Sequence, residues 1–335
     1  MRSRGGPGAR PCRLRADPMP ALIVLLQTLL LAVSGPPTSP EYLPVRVAEA
    51  EGYFAAEGLA VTVRTTRAES GAAEAVAQGQ ADLAATTLEA ILRFGLRATT
   101  SQAPRLVFGL TAAPPVALLI AGPHVDAVRS IEDLSAMRVG VTTPGAPEHA
   151  WFGWLLARAG MSIAQVRVRS LGERGLVAAI ESGDVHVGLV PEPMASQLLS
   201  QGHAKLLADF RTPRAAAAAL GVSTVNAAIF ARADRHASDR DLAAVIRAIR
   251  KAEQRIRTGE PKDLASRLPT RVVGESSDFE ARLATSRNLY LPDGAVSPDQ
   301  LQQTIAIIRT HTPLPQSVKI PKPEDMLLHV KPSAR

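Results

Sequence analysis

Apolar residues in this chain recur in two rhythms: short segments of four to six positions, and longer stretches in which they return every third or fourth residue. Segments Ala81 to Ala85, Leu106 to Leu110, Val116 to Ala121, Arg138 to Val141, Val185 to Val190 and Ala227 to Ala231 read as strands. Most are apolar at successive positions, as strands covered by helices on both faces must be. Ala60 to Arg64 alternates, and Val166 to Ser170 and Lys205 to Ala208 supply further strand segments. The helical rhythm starts after Tyr42-Leu43-Pro44, with Pro44 in the first turn, Val45, Val47, Ala48 and Phe54 apolar, and Gly58 suited to a left-handed end. It returns over Ser70 to Gln78, closed by Gly79, and over Leu88 to Leu96, Pro147 to Arg158, Glu173 to Glu181 and Met194 to Leu199. Ser130-Ile131-Glu132-Asp133 has the S-x-x-D form that opens a helical turn. Strands alternating with helices of these lengths predict βαβ units and largely parallel sheets.

The alternation runs in two series, the second starting near Arg138 and giving way after Ala227 to Ala231 to the long helices Asp239 to Thr258 and Pro298 to His311. The chain is expected to leave a first lobe near Val116 to Ala121 and to return near Ala227 to Ala231, and two crossings make a hinge. No repeat of fixed period is present; the run Ala215 to Ala219 is compatible with helix, and past Pro313 the Pro- and Lys-rich chain reads as a solvated extended tail.

The amino terminus admits two readings. Ala21 to Val33 is an apolar run behind an arginine-rich stretch, and Ala32-Val33-Ser34 resembles a small-residue cleavage site, which together make a signal-peptide profile. The run falls short of the roughly 20 residues a membrane-spanning helix needs. Its second half, Thr28 to Gly35, also reads as a buried strand ending in a turn. Cleavage at Ser34 would remove that strand and open an edge in the first lobe, so the strand reading is favoured.

Composition narrows the function. The 335 residues are 46% hydrophobic, enough for one large or two ordinary cores. Of the net charge of +7, the five arginines and one aspartate of residues 1–17 supply +4. A basic leader with a mixed-charge body is not the footprint of a nucleic-acid binder. The one cysteine, Cys12, precedes the body, so neither a disulfide framework within the chain nor a thiolate metal cluster is expected. The seven histidines include no pair one helical turn apart, and Walker A, G-x-G-x-x-G and G-x-S-x-G patterns are missing. No cofactor and no catalytic metal is expected.

The segment Tyr42-Leu43-Pro44-x-x-x-Ala48-x-x-x-Gly52-Tyr53-Phe54-x-x-Glu57-Gly58-Leu59-x-Val61 resembles the signature of the NitT/TauT (SsuA/THI5-like) family of ABC-transporter substrate-binding proteins. Gly79-x-Ala81-Asp82, Asp133-Leu134-x-x-x-Arg138-Val139-Gly140-Val141 and Ala179-x-x-x-Gly183-Asp184-Val185 continue the likeness in register, over roughly residues 28–310. The resemblance implies an α/β chain with the type II periplasmic-binding-protein fold, two Rossmann-like lobes with a two-segment hinge. The organisation expected is a leader over 1–27, a discontinuous first lobe over 28–118 and 227–312, a second lobe over 119–226 and an extended tail over 313–335. It also implies a monomeric, non-enzymatic receptor of an ABC importer, located in the periplasm or cell envelope. Such a receptor captures a small organic or oxyanionic solute between its lobes and presents it to a permease.

Ligand contacts are expected where strand ends meet helix starts, because unpaired N–H groups gather there. In the first lobe these are Thr38, Ser39 and Tyr42, the last as an aromatic platform, with Thr86 and Thr87 after the next buried strand. A plain helix cap is the competing reading of Thr87, and solvated hydroxyls in a Pro-rich turn that of Thr38 and Ser39. In the second lobe the segment Thr143, Pro144, Gly145, Ala146, Glu148 and His149 feeds a helix start. Glu148 there would repel an anion while stabilising the helix, which counts against a sulfonate-like ligand and leaves room for a cationic or heterocyclic one. A partly exposed helix histidine is the competing reading of His149, and Trp151 and Trp154 read as core packing. Glu192, between Pro191 and Pro193, matches the family's acidic position at the cleft, with stiffening by the prolines as its alternative. Two rivals on related folds are a THI5-like pyrimidine-precursor enzyme, disfavoured because the body has no cysteine, and a permease-independent ligand sensor.

Overall fold

The ten strands found among the described residues pair into two five-stranded sheets in the computed structural model, which describes residues 28–96, 103–143, 148–232, 234, 236–315 and 319–330. The strands are β1 (Thr28–Val33), β2 (Ala60–Thr65), β3 (Leu83–Thr87), β4 (Arg105–Gly109), β5 (Val116–Ala121), β6 (Arg138–Val141), β7 (Arg167–Ser170), β8 (Val187–Pro191), β9 (Ala204–Asp209) and β10 (Ala227–Ala231). One sheet has the order β2-β1-β3-β10-β4 and the other β7-β6-β8-β5-β9. In the first, β1 runs parallel to β2 and β3 while β10 is antiparallel to β3 and β4. In the second, β6 runs parallel to β7 and β8 while β5 is antiparallel to β8 and β9. Each sheet therefore contains one antiparallel strand, and it is the strand on which the chain arrives from the other sheet.

The apolar run at the start of the described chain is a strand. β1 pairs from Thr28↔Ala60 to Val33↔Thr65 on one side and from Leu31 to Val33 with β3 on the other. The leader expected over residues 1–27 lies outside the described residues. β3, β5 and β10 are buried at every position, which follows from helices covering both sheet faces. The edge strand β7 is exposed throughout and carries Arg167 and Arg169, charges that discourage pairing with another chain.

Helices form where apolar spacing and caps coincide. Asp239–Thr258 starts at Ser238, whose hydroxyl accepts from Asp241 N–H at 3.1 Å, and buries Leu242, Val245, Ile249, Ala252 and Ile256, a stripe at three- and four-residue intervals. Gly58 and Gly79 have φ of +79° and +73°, the left-handed conformation expected at those helix ends. Leu88–Ala90 is α-helical and continues as a π-helix over Ile91–Gly95. Trp151 is in the core, and Trp154 packs against it while its indole donates to Leu220 O at 3.1 Å. Three short helices, Pro261–Arg267, Thr270–Val273 and Ser276–Ser286, are not marked by the hydrophobic pattern.

The tail is not wholly solvated. Met326 is 1% exposed and Leu327 bridges Leu106, whose carbonyl accepts from Leu328 N–H at 2.9 Å. Backbone from the tail thus covers the open edge of β4, where unpaired groups would otherwise face water or another strand. No helix among the described residues is long and apolar enough to cross a membrane.

The two connections between the sheets lie side by side. Leu110 and Thr111 both donate to Ala227 O, Asn226 N–H donates to Thr111 O at 2.7 Å, and Thr224 Oγ1 donates to Ala112 O at 2.8 Å. Backbone paired in this way keeps the crossings in register while the sheets they join remain separate units.

Candidate functional site

A cleft of about 680 Å³ opens where the strand ends of both sheets face one another. The loop after β1 supplies Thr38, Ser39 and Glu41, the helix after β2 supplies Glu69, and the end of β3 supplies Thr87. From the other sheet come Thr142, Thr143 and Glu148 after β6, Glu173 after β7, and Pro191 to Met194 with Gln197 after β8. Asn226, at the second crossing, and Asp278 and Arg282, on the helix Ser276–Ser286, complete the polar lining.

Glu69, partly exposed in the cleft, is held by a network that runs back into the core. Tyr42 donates its phenol to Glu69 Oε2 at 2.9 Å, Thr86 Oγ1 donates to the same oxygen at 2.9 Å, and Thr87 N–H donates to it at 3.2 Å. Ser34 Oγ donates to Thr86 at 2.8 Å, extending the chain of hydrogen bonds into the core. Burial pushes the Glu69 pKa up, and these donors hold it back by stabilising the charged form. Burial, with Glu69 beside it, raises the Tyr42 phenol well above its ordinary range, so it stays a donor.

This network corrects the roles expected for Tyr42 and Thr86. Both are buried, at 1% and 0% exposure, and stand behind Glu69 rather than in the cleft, so Tyr42 offers no aromatic platform. Thr38, Ser39, Thr87, Thr143, Glu148 and Glu192 do line the cleft. Thr87 also caps the helix that follows, accepting from Ala90 N–H at 3.2 Å. His149 is half-buried and is not among the lining residues; burial lowers its pKa, against the pull of Glu148. Pro144, Gly145 and Ala146 lie outside the described residues.

Glu41 meets the crossings directly. Its Oε1 accepts from Asn226 Nδ2 at 2.6 Å and from Thr111 Oγ1 at 3.5 Å. Burial first, then the charges of Glu69 and Glu148, push its pKa up to about 8, although Asn226 and Thr111 oppose the shift. At neutral pH this carboxyl is predominantly protonated. On the other wall Thr142 donates to Glu148 Oε1 at 2.9 Å. Glu192 is held by Arg211 at 3.0 Å and by Ser196, whose hydroxyl donates at 2.8 Å and whose N–H donates at 3.2 Å.

Glu41, Glu69, Asn226, Asp278 and Arg282 were outside the expected site. Glu69 reads in sequence as an ordinary acid at a helix start, and Asp278 and Arg282 belong to a helix the pattern does not mark. Glu41 had a signal, since it stands two residues from Ser39 in the loop expected to face the cleft.

The family model described as NMT1/THI5-like matches residues 39–258. No curated protein matches the chain in sequence. Among solved structures, a protein from Bordetella bronchiseptica RB50 is 24% identical, with a TM-score of 0.65 over 90% of this chain and 94% of that one. The periplasmic aliphatic sulphonate-binding protein SsuA from Escherichia coli is 16% identical, with a TM-score of 0.68 over 91% and 92%. The periplasmic nitrate-binding protein NrtA from Synechocystis PCC 6803 is 15% identical, with a TM-score of 0.52 over 78% and 69%. The two sheets thus have the type II periplasmic-binding-protein fold.

Proposed function

This chain belongs to the NMT1/THI5-like family, and we propose that within it the protein is a solute-binding receptor of an ABC importer, working in the periplasm or cell envelope. The observation that carries the reading is the cleft: strand ends of two separate sheets converge on it, and two adjacent crossings join those sheets. Residues 28–118 with 227–312, and 119–226, would then move as lobes about the crossings. Closure over a guest excludes water, which strengthens every polar contact made inside. A ligand that touches both walls favours the closed form by its differential affinity for that form, and the closed form is what a permease reads.

Thr38, Ser39, Thr87, Thr143, Glu148 and Glu192 would be the contacts made from the expected set, a reading supported by their lining of the cleft.

Small-angle scattering on the purified protein, with and without a solute that raises its melting temperature, tests the reading. A ligand-dependent fall in the radius of gyration with no turnover of the solute is expected. A stabilising ligand that leaves the radius unchanged, or is chemically converted, counts against it.

A further inference from the structure

We propose that the solute captured in this cleft is a small organic cation, a protonated amine or amidine, gripped between Glu69 on one wall and Glu148 on the other. This deepens the receptor reading and rests on it. Among its described lining residues the cleft has six acids, Glu41, Glu69, Glu148, Glu173, Glu192 and Asp278, against one base, Arg282. One nitrogen of that guanidinium donates to the carbonyls of Val272 and Val273, which holds it in place without removing its charge, and the acids still outnumber it six to one.

The second observation is how unequally the protein treats its own carboxyls. Glu192, 8% exposed, receives a guanidinium counter-ion from Arg211. Glu148 is just as buried, at 7%, yet among the described residues no arginine or lysine pairs with it, with Glu69 or with Glu41. The partners of Glu69 and Glu148 are hydroxyls and a backbone N–H, which orient a carboxylate without neutralising it. Acids withdrawn from water, wholly as Glu148 is or partly as Glu41 and Glu69 are, are ordinarily paired with a cation or protonated. Glu41 takes the second course, driven partly by the charges of Glu69 and Glu148. For the other two the missing positive charge is what a guest can bring, and because they come from opposite walls a guest that satisfies both also draws the walls together.

An anion is disfavoured by the same geometry. The helix Glu148–Arg158 begins with a carboxylate where its dipole would otherwise favour an oxyanion. A bare metal ion is disfavoured as well. No group of three or more His, Cys, Asp or Glu among the described residues is placed to hold one, and the cleft has the roughly 300–1,000 Å³ typical of organic ligands.

The test is calorimetric titration and thermal shift on the full chain with putrescine, agmatine and benzamidine as cations, and with ethanesulfonate and nitrate as anions. At least one cation should bind and raise the melting temperature, with affinity falling as salt is added, and neither anion should. Glu69→Gln and Glu148→Gln, isosteric changes on opposite walls, should each weaken the cation at least tenfold while the unliganded melting temperature shows that each variant folds. Binding of ethanesulfonate or nitrate without any cation response overturns the charge class and leaves the receptor reading standing. Cation binding that both variants retain at full strength overturns the assignment to these carboxylates. Silence from every probe, with no compaction in scattering, overturns the class and the receptor reading together.

Discussion

Glu41 and Asn226, 185 residues apart in sequence, meet through a 2.6 Å hydrogen bond from the Asn226 amide to Glu41 Oε1. One comes from the loop after the first strand and the other from the second crossing between the sheets. The cleft lining and the second crossing are therefore joined by a titratable contact.

Stability should fall as pH rises through the neutral range. Glu41 and Glu253 both have pKa values of about 8, raised chiefly by burial, against an unfolded value of 4.5. Between those limits the folded state holds protons that the unfolded state has released, so each unit of pH favours unfolding until both groups have ionised. Glu253 is the cleaner probe, being 3% exposed and away from the cleft, with its Oε1 lacking a hydrogen-bond partner. Glu253→Gln, whose amide does not titrate, should flatten the fall between pH 5 and 8 and raise stability at pH 8 by an amount on the order of a few kcal/mol, the linkage a raised carboxyl pKa carries. Urea denaturation at several pH values measures both.

Tyr42→Phe should leave the fold intact and weaken solute binding. The ring stays buried, but Glu69 loses one of its three donors and is held less firmly by Thr86 and Thr87 alone. A loss of about 0.5–1.5 kcal/mol, a few-fold to tenfold in affinity, is the expected size for one hydrogen bond. Titration of a bound solute reads it directly, and an unchanged dissociation constant would show that the phenol has no hand in positioning the carboxylate.

Arg211→Met should be costly. Arg211 donates to Glu192 at 3.0 Å and to both oxygens of Asp209 at 2.8 and 2.9 Å, and Glu192 is 8% exposed. Removing the guanidinium strands that carboxylate, for which about 3–5 kcal/mol is the general figure. The double change Arg211→Met with Glu192→Gln should recover a good part of the loss, and chemical denaturation of the three proteins tests this.

Met326→Ala should destabilise the protein by about 2–5 kcal/mol, the range for truncating a buried methionine. A freely solvated tail would show no effect at all. The 1% exposure of Met326 and the Leu106↔Leu327 bridge place it against β4, so a measurable drop in melting temperature is expected.

The order of amino acids alone was enough for the sheets, the long helices and the family likeness, because each is a local property. Strand burial shows as continuous apolar runs, helix faces as three- and four-residue spacing, and helix ends as glycines such as Gly58 and Gly79. It also pointed to loops that line the cleft, since Thr38, Ser39, Thr87, Thr143, Glu148 and Glu192 follow the strands or open the helices after them. Which side chain in a loop faces the cleft is not local. Tyr42 and Thr86 were candidates by position and are buried supports; Glu41 and Glu69 are the groups they leave facing the cleft. Asp278 and Arg282 arrive from a helix without a strong apolar stripe, and Arg211 finds Glu192 across 19 residues. Such partnerships depend on distances between segments far apart in the chain, and on burial that sets how much an unpaired charge costs. Those quantities exist only once the sheets, the crossings and the helix Ser276–Ser286 have come together.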